Sequence, residues 1–264
     1  MSTPPLWLPT WNTKLARADE HLDALYRETD GWGDGDPIAI DRESNADGSE
    51  HTFRLRYKVQ PDTLRWAVLL GDALHNLRGA LDHLIYGLAA AQTGKDPPDD
   101  YNKLAFPICS EPKFFPGACK RRLSSLSSDT QAAIERTQPY NRLNPGEWFM
   151  PLWWLSQMHD FDKHRFLHLA VLASRMDECV IDAKRGTFRA LWLDPPHPDG
   201  AELLKITLTE PNPNVYVDLK VVGAVVLNVK TPDDHPPGLH HVMRHIRREV
   251  EFVCRYLTRF FGTP

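Results

Sequence analysis

Apolar residues recur at helical spacing in several stretches of this chain and at alternate positions in several shorter ones. In the segment from about 62 to 91, Trp66, Ala73, Leu77, Ala80, Leu81, Leu84 and Leu88 fall on one side at about 100° per residue, which predicts a long helix with a core face. Pro61 and Asp62 open it. Upstream, Leu15, Leu22, Leu25 and Tyr26 predict a helix over residues 12 to 29, with GWGDGDP as its stop. Downstream, apolar positions through 147 to 174 predict a second core helix, and 238 to 261 closes the chain with an amphipathic one. SSDTQAAIERTQ reads as a short helix with Ser128 or Asp129 as its N-cap.

Strand patterning is of two kinds. PIAID and HTFRLRYKV flank a turn-rich loop, and Phe53, Leu55, Tyr57 and Val59 alternate in the second. Residues 178 to 230 then hold several runs rich in β-branched and aromatic side chains, separated by PPHPDG and PNPN, which predict an antiparallel sheet of about four or five strands. Residues 95 to 126 show neither period and read as irregular, pinned by Phe106, Phe114 and Phe115. The expectation is a single α+β domain over residues 1 to 264: a helical bundle, its core at about 62 to 175, with the β-rich segment packed on it.

Composition changes this picture little. With 42% hydrophobic residues the chain can bury a real core, and a formal net charge of -4 argues against whole-surface affinity for nucleic acid while leaving room for a local basic patch. Cys109, Cys119, Cys179 and Cys254 are widely spaced and read as reduced thiols, not as a disulfide framework or a zinc site. No secretory leader and no membrane-length apolar run is visible, so a cytoplasmic protein is expected.

Two polar anomalies carry the candidate chemistry. The first is the second face of the 62–91 helix. LLGDALHNLRGALDHLIYGLAA contains neither Lys nor Glu, yet Asp72, His75, Asn76, Gly79, Asp82, His83 and Tyr86 share its polar side, with Arg78 at the edge. Three readings stay open: a solvated face, a buried network pairing each Asp with a His or Arg, or a face against a ligand or partner subunit. Gly79 costs about 1 kcal/mol relative to Ala in mid-helix and suggests a close neighbour.

The second anomaly is FDKHRFLHL, charged residues set among Leu155, Met158, Phe161, Phe166 and Leu169. Such charges must be paired or used. Asp160, His164 and His168 repeat every four residues, a spacing compatible with a divalent transition metal, although an ion-pair network is the plainer reading. Asp162 and Arg165 can pair. Docking the two anomalies together would bring Asp72, His75, Arg78, Asp82 and His83 near Asp162, Lys163, His164 and Arg165.

GDALHNLRGALDHLIY, the FPI at Phe106 to Ile108, the QPY at Gln138 to Tyr140 and the DKHR at Asp162 to Arg165 together resemble an uncharacterised bacterial protein family over roughly residues 60 to 175. More distantly, Arg78-Gly79-Ala80-Leu81-Asp82-His83 is similar to the R-x(4)-H motif of the HEPN superfamily. Gly79 departs from that motif's usual polar residue after the Arg. The resemblance implies a helical, dimeric, metal-independent ribonuclease or RNA-binding protein of the toxin, antiphage or RNA-processing kind. Arg78 would hold phosphate and His83 would take part in acid–base chemistry, with no cofactor.

The closing helix adds Arg244, Arg247, Arg248, Arg255 and Arg259, readable as an RNA contact or as a solvated face interleaved with Glu249 and Glu251. The alternatives to a ribonuclease are a metal-dependent enzyme built on Asp160, His164 and His168, helped by His75 or His83, and a non-enzymatic interaction protein whose polar clusters lock its core.

Overall fold

The pattern that predicts the first core helix is realised as a 31-residue α-helix, Thr63–Thr93. Asp62 caps it by accepting the Arg65 amide at 3.1 Å. Leu77, Leu81, Leu84 and Leu88 are fully buried. A helix of this kind is held by such packing more than by propensity, since each fully buried Leu contributes roughly 1.5–3 kcal/mol. The computed structural model describes residues 10–142, 150–163, 169–174, 179–181, 186–189, 197–214, 217–219, 222–227 and 237–260.

In chain order the elements are α1 (Thr10–Asp34), β1 (Ile38–Ser44), β2 (Glu50–Tyr57), α2 (Thr63–Thr93), α3 (Phe115–Arg122), α4 (Ser128–Arg136), α5 (Pro151–Asp162), six strands from β3 (Leu169–Ser174) to β8 (Val222–Leu227), and α6 (Leu239–Thr258). Between β3 and β8 lie β4 (Cys179–Ile181), β5 (Gly186–Arg189), β6 (Glu202–Leu208) and β7 (Val217–Leu219). The chain is α+β. No helix among the described residues is long and apolar enough to cross a membrane.

Two compact units are formed, each from separated segments. The first takes residues 1–25, 67–167 and 240–264 and is helical. Its core includes the fully buried row Val242, Met243, Ile246, Val250, Val253 and Leu257 of α6. The second takes residues 26–66 and 168–239 and holds all the described strands. There β1, β2, β6 and β5 make a four-stranded antiparallel sheet in the order β1-β2-β6-β5, while β3 pairs with β8 and β4 with β7. The early hairpin therefore joins the later strands in one sheet through β2 and β6. At its tip Gly48 has φ +72°, and a Cβ there would meet the Pro213 backbone at 2.7 Å, so both conformation and space call for glycine.

Four local expectations are revised. α1 does not stop before GWGD but runs through it to Asp34. Trp32 is the cause: its indole donates to the Val59 carbonyl at 3.0 Å and meets the Trp66 ring edge-on at 5.8 Å, contacts that outweigh two weak helix formers. The helix expected over 147 to 174 ends at Asp162, and Leu169–Ser174 is a strand. LAVLAS is apolar in nearly every position and suits either state, so its register with β8, from Leu169↔Leu227 to Ser174↔Val222, decides. The segment expected to be irregular contains α3, entered through Pro116 in its first turn. Phe115 is buried beside it while Phe114 is half-exposed. The N-cap of α4 is Ser127, one residue earlier than expected, its hydroxyl accepting from the Thr130 amide.

Candidate functional site: a basic cleft

The polar face of α2 turns toward several neighbours. Arg78 and Asp82 pair one turn apart, with Arg78 Nη2 3.1 Å from Asp82 Oδ1. Together they grip the backbone of Phe106. Arg78 donates to the Phe106 carbonyl at 2.5 Å, and Asp82 accepts the Phe106 amide at 2.8 Å. Three residues on, the Cys109 amide donates to Gln138 Oε1 at 2.9 Å, and Gln138 is itself fully buried. The FPI segment is thus held at one end by α2 and at the other by the Gln of QPY.

The DKHR end of α5 meets α2 at two points. A Cβ on Gly71 would lie 2.6 Å from an Asp162 carboxylate oxygen, so α5 approaches α2 through the absence of a side chain. One turn along, the rings of His75 and His159 are 5.8 Å apart. Gly79 is not the point of closest approach: a Cβ there would make ordinary contact with the aliphatic stem of Lys14, at 3.5 Å. On that same side His21 Nδ1 stands 3.9 Å from Asp72. The face accordingly divides. Asp72 and His75 are exposed, Asn76 is buried and donates to the Asp72 carbonyl, and Arg78, Asp82 and His83 are half-buried.

These contacts frame a cleft of about 370 Å³. α2 supplies Arg78, the segment after Phe106 supplies Cys109 and Ser110, α3 supplies Arg121 and Arg122, and α5 supplies Ser156, His159 and Asp160, with Lys163 just beyond its end. Phe114 stands at its wall. Four permanent cations therefore face a single carboxylate, in a chain whose formal net charge is -4. Lys163 lies 3.4 Å from Asp160, whereas neither Arg121 nor Arg122 has an ion pair among the described residues. Both belong to the basic last turn of α3, where the helix dipole favours cations.

His159 is buried, and its pKa is lowered to about 4 by burial, then by the charges of Lys163 and Arg78, with Asp160 opposing. At neutral pH it is an uncharged imidazole facing a basic cavity. The Asp162 carboxyl is pushed the other way, up, by burial and then by Asp72. Burial also raises the Cys109 thiol, with Arg122 and Arg121 pulling it back. Cys119 is raised by burial and then by Glu135. Cys109, Cys119 and Cys254 are free thiols.

The two residues of the R-x(4)-H spacing are placed differently. Arg78 lines the cleft, whereas His83 does not; its pKa is lowered by burial and then by Lys14, on the side of α2 that faces α1. His159, Arg121, Arg122, Ser156 and Phe114 are the cleft residues that sequence reasoning passed over as site candidates. The run Lys120-Arg121-Arg122 just after FPI was the available signal for two of them. His164, Arg165 and His168 lie outside the described residues, so of the Asp160, His164 and His168 spacing only Asp160 is described. Among the described residues no three His, Cys, Asp or Glu side chains are gathered as metal ligands.

On α6 much of the arginine stripe is internally occupied. Arg247 holds both oxygens of Asp19, at 2.8 and 2.9 Å, and also Glu251. Arg255 bonds Glu251, and Arg259 lies 3.7 Å from the Tyr256 ring centre. Comparison with protein-family models, with curated proteins and with solved structures finds no match to this chain.

Proposed function

We propose that the cleft binds the phosphodiester backbone of RNA, and that the protein is a cytoplasmic, metal-independent ribonuclease or RNA-binding protein of HEPN-like character. The carrying observation is the convergence of Arg78, Arg121, Arg122 and Lys163 on one cavity, with Asp160 as the one carboxylate lining it among the described residues. Two guanidiniums without ion pairs among the described residues match the forked geometry of phosphate oxygens. The free thiols of the described cysteines support a reducing compartment.

In this reading the arginines neutralise the charge that accumulates on phosphorus oxygens during attack by the neighbouring 2′-hydroxyl. His159, not His83, is the proton acceptor, because it is the uncharged imidazole inside the cavity. Burial lowers its basicity most, and the charges of Lys163 and Arg78 add to this; a bound phosphate offsets only the part due to those cations. As His159 takes the 2′-hydroxyl proton, the 2′-oxygen bonds to phosphorus and the bond from phosphorus to the 5′-oxygen breaks; that oxygen leaves as a 5′-hydroxyl, protonated by water, and a 2′,3′-cyclic phosphate remains.

The test is incubation of the purified chain with single-stranded RNA in EDTA. Cleavage to cyclic-phosphate ends is expected. It should be lost in His159→Asn and in the Arg121→Ala/Arg122→Ala double variant, and retained in His83→Asn. Binding without cleavage reduces the reading to an RNA-binding protein, and no binding overturns it. Sedimentation of the same sample tests the homodimer that the HEPN likeness implies.

A second reading has its own support. The Arg78–Asp82 grip on Phe106 is the kind of satisfied polar lock that an interaction protein needs for its core alone.

A further inference from the structure

Resting on the reading of the cleft as a phosphate site, we infer that it is a one-nucleotide subsite in which the base stacks on Phe114. Two independent features support the inference. Phe114 is 51% exposed although its neighbour Phe115 is buried, so its exposure is local to the cleft wall and does not reflect a loosely packed segment. It precedes α3, whose last turn presents Arg121 and Arg122 to the same cavity. An open aromatic face beside paired guanidiniums is the arrangement by which proteins take up an unpaired nucleotide, cation to phosphate and ring to base. Lys113 Nζ lies over one face of that ring, 4.9 Å from its centre, so the base stacks on the opposite face.

Size sets the stoichiometry. A cavity of about 370 Å³ is at the lower end of small-molecule sites, which run from roughly 300 to 1,000 Å³. It suits a nucleotide and not a length of duplex. Ser110 and Ser156 line the space and offer hydroxyls to the sugar. A base within a duplex has both faces already stacked, so the subsite takes a nucleotide from a single strand or an end.

Calorimetric titration of the full chain with adenosine 5′-monophosphate, inorganic phosphate and adenosine separates the contributions. The monophosphate is expected to bind roughly ten-fold or more tighter than inorganic phosphate, the range of one base–aromatic stack. Phe114→Ala should bring the two ligands to equal affinity, and Phe114→Trp should restore the difference. Arg121→Ala/Arg122→Ala should weaken both ligands. Equal affinities in the unaltered protein, or a Phe114→Ala variant that still prefers the monophosphate, overturn the stacking subsite while leaving the phosphate site standing. If neither phosphate ligand binds, the phosphate reading falls and this inference falls with it.

Discussion

An oxygen of Asp162 occupies the space where a side chain on Gly71 would begin, 2.6 Å from the position of its Cβ. Helix propensity favours Ala over Gly by about 1 kcal/mol at any mid-helix position, but overpacking costs roughly 1–3 kcal/mol. Two glycines of the same helix therefore diverge. Gly79→Ala, meeting Lys14 only at 3.5 Å, should stabilise by up to about 1 kcal/mol, while Gly71→Ala should destabilise by about 1–2 kcal/mol. Urea denaturation checks both. The loss at Gly71 should shrink when Asp162→Ala is added, because the two changes share one contact.

The clamp on Phe106 is expected to break asymmetrically. Asp82→Ala strands both the Phe106 amide and the Arg78 guanidinium, and an unsatisfied buried group costs roughly 1–3 kcal/mol. Arg78→Lys keeps the charge but loses the fork that reaches Asp82 and the carbonyl together. Native-state hydrogen exchange should show the Phe106 amide losing protection in Asp82→Ala and keeping much of it in Arg78→Lys.

His159 makes stability depend on pH in a definite sense. The unfolded chain protonates this side chain near the ordinary 6.5, whereas the folded chain refuses the proton until about 4. Its contribution is whole above 6.5 and is lost as pH falls from 6.5 toward 4. At pH about 4.5 the loss should be roughly 2–3 kcal/mol, and His159→Gln should lack it. Asp162 acts oppositely, since a raised carboxyl pKa favours the folded state as pH falls through it. Urea midpoints near pH 7.5 and 4.5 for the unaltered protein and His159→Gln isolate the histidine.

If the cleft takes RNA phosphates, affinity must fall with salt. The slope of log affinity against log salt is about -0.7 per phosphate neutralised on a single strand. Arg121→Ala/Arg122→Ala should flatten it by about one contact or more. Arg247→Ala should leave it unchanged, because Arg247 is committed to Asp19 and Glu251. Fluorescence anisotropy of a labelled oligonucleotide over a range of potassium chloride concentrations reads both slopes.

Much of α2 was legible because a burial stripe along one helix leaves a period in the sequence. Its polar face was legible as an anomaly, and so was the docking of the DKHR segment against it, but not the points of contact. Gly71 lies in the apolar run before Asp72, and nothing local marks it as the residue that admits a carboxylate. The same limit hid α3. Its eight residues are too few to show a period, so Arg121 and Arg122 read as part of an irregular stretch. β3 was read as helix because its partner strand lies some fifty residues downstream and pattern reading sees only neighbours. The FPI, QPY and DKHR blocks read as one set by their order, and Gln138, Asp82 and Asp162 supply the contacts that hold them together.

The thiols supply a footprint that needs no engineering. Cys109 lies in the cleft wall, while Cys119, one turn into α3, lines a different surface hollow with Gln131 and Glu135. Cys109 is nearly buried and alkylates slowly even in the empty cleft; an occupant slows it further and leaves Cys119 as it was. The ratio of their alkylation rates within one molecule, read by peptide mass, therefore reports occupancy directly, with Cys119 as the internal clock.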